Sequence, residues 1–297
     1  MPESVKELVH GELAHVETPN DTRVLNQLLS DPFVDKLETL AQAKAEEYKA
    51  NTPYPHIYFD DFLPVDVAEA ALRDFPEPKE AAWHAYTDVN QHKKLAFDAV
   101  EKLPSSIRDV LYFLNSRPML KFLETLTGIS CVLPDPNYTG GGLHQIRPGG
   151  LLEVHADFSY HQALRLDRRI NVLIYLNKDW KDEYGGHFEL WDRNVTRAEK
   201  KILPVFNRCA IFSTTSVSFH GHPVPLACPP ERNRKSIATY YYTNGRPEED
   251  PELTHRHEVA FQERPGVNAV KATIRVKNAI RAVTPPIITD LIRSLRK

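Results

Sequence analysis

His155 and Asp157 stand two apart in LLEVHADF, and a third candidate ligand, His220, follows in VSFHGH. In an extended strand, residues i and i+2 project from one face, so His155 and Asp157 can reach one metal ion together. His220 lies 63 residues beyond Asp157, downstream of the apolar run CAIF and inside another strand-like segment. Two histidines and one carboxylate on adjacent strands fill one face of an octahedron and leave three positions open, the arrangement of non-haem Fe(II) sites. Open positions let a chelating co-reactant and O2 bind together, whereas a structural zinc site would be closed by four protein ligands. An H-x-D triplet also arises by chance as a hydrogen-bonded strand pair, so the second histidine carries the argument. His222 is the rival ligand, because it shares strand parity with His220. Its other role would be to stand behind the metal or against substrate.

Two further groups suit a small anionic ligand. Arg234 and Ser236 share a strand face in RKSIATYYYT, placing a guanidinium beside a hydroxyl. Arginine grips a carboxylate bidentately and serine adds a hydrogen bond, which fits the far end of a dicarboxylate. A surface arginine is the plainer alternative. In RINVLIYLN, Ile170, Val172, Ile174 and Leu176 form one aliphatic face that should pack under helices. Arg169, Asn171, Leu173 and Tyr175 face the other way, so Tyr175 should enter a barrel interior, either offering its phenol to a carboxylate or resting as a satisfied core tyrosine.

The elements that must hold these residues are legible in the surrounding pattern. From about Tyr138 to Thr243 the chain breaks into short β-rich runs between turn residues: GGLHQI, LLEVHADF, RINVLIYLN, GHFELWD, KKILPVF, CAIFST, VSFHGH and SIATYYYT. Such spacing predicts a jelly-roll sandwich or barrel. Residues 1–50 read as helical, through Leu25, Leu28 and Leu29 and then DKLETLAQAKAEEYKA. Pro53 and Pro55 end that pattern, HIYFDDFL (56–63) reads as a strand, and 64–75 as a helix opened by Pro64. Residues 104–127 are helical by the spacing of Leu111, Leu114, Leu120, Leu123 and Leu126, with Gly128 as C-cap. Three parts follow: a helical N-terminal extension (1–50), a barrel domain with its supporting helices (51–245) and a C-terminal extension (246–297). From Gly266 onward that last part carries seven Lys/Arg against one Asp. Its end, ITDLIRSLRK, places Ile288, Leu291, Ile292 and Leu295 on one helical stripe.

Bulk composition narrows the partners. A formal charge of −3 over 297 residues gives no general attraction to nucleic acid or an anionic membrane. No stretch reaches the roughly 18 uncharged apolar residues of a membrane span, and the charged N-terminus lacks the apolar core of a secretory signal. Three cysteines without a CxxC fit a reducing compartment, so a cytoplasmic location is expected.

The motifs together resemble the prolyl-4-hydroxylase-like branch of the 2-oxoglutarate/Fe(II) oxygenases. The similarity runs through HADF, YLNKDW followed by YGGHFELW, FSTTSVSFHGHPV and RKSIATYYY. Upstream it takes in PYPHIYFDDFLP and LTGISCVLPDPNYTGGGLHQIRPGG, so that it spans about Tyr54 to Gly245. The resemblance implies a double-stranded β-helix, a distorted cupin-like jelly-roll barrel flanked by helices. It implies that His155, Asp157 and His220 bind Fe(II), and that Arg234 binds the 5-carboxylate of 2-oxoglutarate with help from Tyr175 and Ser236. O2 is then the second cosubstrate and ascorbate a supporting reductant. Gln145, ten residues before His155, falls where the hypoxia-factor prolyl hydroxylases carry a tyrosine near the cosubstrate. The insertion PLACPPERN lengthens the approach to Arg234 and puts Arg232 and Lys235 in contention for its role. The implied reaction is hydroxylation of an unactivated C–H with release of succinate and CO2. Relatives that halogenate lack the carboxylate that Asp157 supplies here. The substrate would be a small molecule or a peptidyl residue. The alternative is a cupin-like metal-binding barrel with a different activity or none, which would have no use for Arg234 and Tyr175.

Overall fold

In the computed structural model, residues 23–246, 255–262 and 264 are described. Helices α1 (Arg23–Leu28) and α2 (Asp31–Ala50) occupy the second half of the N-terminal region expected to be helical; residues 1–22 lie outside the described part. In α2, Pro32 sits in the first turn with Asp31, and Lys49 in the last, each at the end its chemistry favours. Phe33, Leu37, Ala41 and Tyr48 give that helix its buried face. Strand β1 (His56–Phe59) and helix α3 (Val65–Arg73) follow, then strands β2 (His84–Tyr86) and β3 (Gln91–Phe97). The hairpin of β2 and β3 was not apparent in the sequence pattern. Helices α4 (Ser105–Leu114) and α5 (Arg117–Thr127) divide the expected 104–127 segment, and Gly128 caps α5 in the left-handed conformation at φ 74°.

The barrel then forms from β4 (Leu133–Pro134), β5 (Gly142–Ala156), β6 (Tyr160–His161), β7 (Leu166–Tyr175) and β8 (Phe188–Trp191). Strands β9 (Ala198–Ile202), β10 (Arg208–Ser213), β11 (His220–His222), β12 (Arg234–Thr243) and β13 (Ala260–Phe261) complete it. The main path is β1-β10-β7-β12-β5-β11-β8-β9, antiparallel at every step, and it wraps into the nearly closed double-stranded β-helix that was expected. The runs GGLHQI and LLEVHADF are one long strand, β5. Its first half pairs with β12 and its second half with β11. The strand passes the corner at Gly149 and Gly150. Gly149 has φ 74°, and a Cβ on Gly150 would stand 2.7 Å from the Arg147 carbonyl and 2.8 Å from that of His92.

The two faces of the sheet do different work, as strand alternation requires. Ile170, Val172 and Ile174 of β7, with Cys209 and Ile211 of β10, pack beneath the helices in the main core. Tyr175, Ala210, Phe212, Phe188 and Leu190 turn inward to line the barrel. Beyond the boundary expected at 245, β13 returns to the edge of β5, pairing Phe261 with His155. Arg264 reaches the fully buried Glu153 at 3.1 Å. The stripe expected over 288–295 lies outside the described residues. No helix among the described residues is long and apolar enough to cross a membrane.

Candidate metal centre and cosubstrate pocket

Register brings the two distant histidines together. His220 on β11 is the direct cross-strand partner of His155 on β5, and their rings lie 4.5 Å apart. Asp157 follows the end of β5. Its Oδ1 is 3.5 Å from His155 Nε2 and its Oδ2 is 3.3 Å from His220 Nε2. One ligand atom from each residue lies within 4.8 Å of the others. His155 Nδ1 stands 2.8 Å from the Glu153 carbonyl, and His220 Nδ1 stands 2.9 Å from that of Ser218. A carbonyl only accepts, so each Nδ1 carries the proton and each Nε2 offers its lone pair to the space beside Asp157. The donor set suits a divalent metal with open positions.

Asp157 is held from behind. Its Oδ2 accepts from Arg168 Nη2 at 2.9 Å and from Asn171 Nδ2 at 2.7 Å. Burial works against its charge, but Arg168 leads the interactions that outweigh it and hold the carboxyl well below the usual carboxylate range. Arg168 is itself 1% exposed and lies 3.5 Å from the ring centroid of Tyr240. Phe212 and Phe188 flank His220, and Phe261 covers His155 at 5.3 Å, so the histidine side of the cavity is walled by aromatic rings. Sequence reading missed Arg168 and Phe261. Neither stands in a spacing that distinguishes it from an ordinary surface residue.

The ligand space is a cavity that opens to solvent and is lined by all three candidate metal ligands. Arg234, Tyr175 and Ser236 form its buried floor. Arg234 opens β12. Its Nε donates to the Gly186 carbonyl at 2.7 Å, and its guanidinium carbon lies 4.9 Å from the Tyr175 ring centroid with Nη2 3.4 Å from the phenol oxygen. Burial pulls the Arg234 pKa down, the expected penalty for a desolvated cation. Among the described residues no carboxylate lies within ion-pair distance of it. The two rival cations are elsewhere: Lys235 pairs with Glu77 at 3.0 Å, and Arg232 donates to the Lys178 carbonyl at 2.8 Å.

Gln145 is not brought to this cavity. It faces the opposite side of β5, donating to the Pro76 carbonyl and accepting from Asn233, while His144 and Ile146 line the cavity instead. The physical reason is a β-bulge. His220 pairs with His155 and His222 with Leu152, so three residue steps on β5 oppose two on β11. Counting back ten residues from His155 crosses that bulge and lands on the wrong face. His222 also lines the cavity. It is 3% exposed, and neither ring nitrogen has a hydrogen-bond partner. Burial, then Arg234, keeps its pKa well below the ordinary histidine range, so it is neutral there.

Gly186 supports Arg234 in a way that predicts an indirect mutation. Its φ is +71°, and a Cβ there would meet Leu226 Cδ2 at 2.5 Å and Arg234 Cδ at 3.0 Å. Gly186→Ala should cost about 1–2 kcal/mol of stability through its backbone conformation. It should also push the guanidinium off the cavity floor. A lowered melting midpoint together with weaker binding of a 2-oxoglutarate analogue is the expected result; a lowered midpoint alone would mean that Arg234 tolerates the displacement.

Residues 141–242 match the sequence model of the 2OG-Fe(II) oxygenase superfamily. Among solved structures, a prolyl hydroxylase from Trichoplax adhaerens, in complex with a hypoxia inducible factor peptide fragment, aligns at TM-score 0.55. The identity is 16%, over 73% of this chain and 95% of that one. A Pseudomonas putida prolyl-4-hydroxylase aligns at TM-score 0.48 with 14% identity, over 69% of this chain and 100% of its own. The first of these likenesses is one of fold, the double-stranded β-helix.

Proposed function

We propose, for a chain whose barrel belongs to the 2-oxoglutarate/Fe(II) oxygenase superfamily and which is thus a 2-oxoglutarate-dependent dioxygenase, that it hydroxylates an unactivated C–H bond. In this reading His155, Asp157 and His220 hold Fe(II), while Arg234, Tyr175 and Ser236 receive the far carboxylate of 2-oxoglutarate. The substrate is a small molecule or a peptidyl residue. The observation that carries the reading is the coexistence, in one cavity, of a three-ligand cluster and a buried arginine that has no carboxylate partner among the described residues. A metal-binding barrel with some other activity would need the first and have no use for the second.

Bound Fe(II), with 2-oxoglutarate and O2 as co-reactants, supplies the oxidising chemistry that side chains lack, and the cosubstrate leaves as succinate and CO2. The protein's own contribution is placement. Arg168 and Asn171 keep Asp157 ionised and fix its orientation. The carbonyls of Glu153 and Ser218 fix both histidine tautomers. Arg234 draws one end of a dicarboxylate to the floor and so sets where the other end lies. The aromatic wall keeps bulk water away.

The test is turnover without substrate. Under air, with Fe(II) and ascorbate, the purified chain should convert 2-oxoglutarate slowly to succinate. A chelator or N-oxalylglycine should stop it. Succinate no higher than in the metal-free control, with iron bound, would remove the oxygenase reading.

A further inference from the structure

Lys94 is the cation that the proposed function leaves unused. It stands on β3, directly opposite Ile146 of β5 and lining the same cavity as Arg234. The two cations flank that strand, since Arg234 on β12 is also paired with Ile146. Their depths differ. Arg234, Tyr175 and Ser236 are buried, whereas Lys94, His144 and Tyr240 are half-buried and form the rim. Lys94 does not reach the cavity by regular strand geometry. The β3–β5 register shifts between His92 and Lys94, and Lys93 is held at φ 56°. Bulges of this kind re-aim a side chain, and non-glycine residues at positive φ collect at functional sites.

The ammonium it delivers there has weak company. Lys94 Nζ donates to Gln91 Oε1 at 3.2 Å and lies 5.1 Å from the Tyr86 ring centroid. Among the described residues no carboxylate comes within ion-pair distance of it. Asp157 is the one carboxylate lining the cavity among those residues, and it is already answered by Arg168. With Arg234 taking one carboxylate of a dianionic cosubstrate and the metal the other, no anion among the described residues is left facing Lys94. His144 beside it adds no charge, because burial, then Lys94, takes its pKa down to about 3. Burial likewise lowers Lys94 itself to about 8, and an incoming anion would relieve that penalty.

Resting on that functional reading, we propose that Lys94 is the anion-binding residue of the substrate subsite, so that the substrate presents a carboxylate at the rim of the cavity. Lys94 selects and orients; the metal side of the cavity then faces whichever C–H bond lies beyond the anchored group. Neutral substrates of the same shape are discriminated against, because they leave a half-desolvated ammonium unpaired.

The experiment uses the full chain loaded with Mn(II) and saturated with N-oxalylglycine, and acetate and acetamide as probes. Paramagnetic relaxation of the probe methyl protons reports residence near the metal. Acetate should be relaxed at least fivefold more than acetamide. Lys94→Met keeps the stem length and removes the charge; it should bring acetate down to the acetamide level, with N-oxalylglycine affinity within twofold of wild type. Equal relaxation of the two probes overturns the proposal, and so does acetate relaxation that persists in Lys94→Met. A tenfold loss of N-oxalylglycine affinity in the variant would assign Lys94 to the cosubstrate instead and also overturn it. Failure of the wild-type chain to bind N-oxalylglycine removes the functional reading and the subsite with it, whereas normal binding with no acetate effect removes the subsite alone.

Discussion

His220→Ala should leave a protein that cannot retain Fe(II), while His222→Ala should keep the metal. Both imidazoles are buried in the same cavity and both stand on one short strand, β11, so proximity alone does not separate them. Geometry does. His220 Nε2 is 3.3 Å from Asp157, and its Nδ1 is committed to the Ser218 carbonyl, the arrangement of a metal-binding histidine. Among the described residues His222 belongs to no cluster of ligand atoms and has neither nitrogen engaged. Loss of one of three ligands should exceed the roughly 10–100-fold affinity loss typical of removing a mere supporting partner. Iron content after gel filtration, followed by Fe(II) titration of each variant, reads this directly. His222→Ala should hold iron and show its defect in ligand binding, because it removes a neutral wall beside Arg234. Should His222→Ala be the metal-free protein, the ligand assignment moves by two residues and the fold stands.

Much of the barrel was legible because its strands are β-branched, aromatic and sharply bounded. RINVLIYLN alternates so cleanly that Ile170, Val172 and Ile174 under the helices, and Tyr175 in the cavity, follow from parity alone. The H-x-D pair and the distal histidine were visible for the same reason. Strand β3 was not. Its QHKKLAF carries polar residues over most of its first half and pairs as an addition to the edge of β5, where tertiary context overrides propensity. Lys94 was therefore invisible as a cavity residue. Gln145 shows the other limit. Strand parity is reliable within a regular run, but a single bulge between Leu152 and His155 inverts it, and a bulge has no signature in LLEVH. Strand β13 is two residues long, and its contact with His155 depends on a chain return that local sequence does not encode.

Arg234→Ala should raise the 2-oxoglutarate requirement by a large factor and leave iron binding intact. Among the described residues the guanidinium is the one cation on the cavity floor. It is fixed by the Gly186 carbonyl at 2.7 Å and by stacking over Tyr175, so it is organised before any ligand arrives. Removing one partner of a desolvated charge pair costs about 2–5 kcal/mol, roughly 30-fold to a few thousandfold in affinity. Iron should be unaffected, because no metal-cluster residue hydrogen-bonds to Arg234. Tyr175→Phe should act in the same direction by only about 1 kcal/mol, since its phenol is a neutral partner 3.4 Å from Arg234 Nη2. Arg232→Ala and Lys235→Ala should change the requirement little, as each is engaged outside the cavity, with Lys178 and Glu77 respectively. Succinate formation against 2-oxoglutarate concentration, with iron content measured on the same samples, distinguishes these outcomes. A large effect from Arg232→Ala or Lys235→Ala would mean that the loop of PLACPPERN rearranges on binding and brings a different cation inward. Arg234→Lys sharpens the result: it restores the charge without the planar fork that holds the Gly186 carbonyl and faces a carboxylate at once, so charge alone should recover only part of the loss.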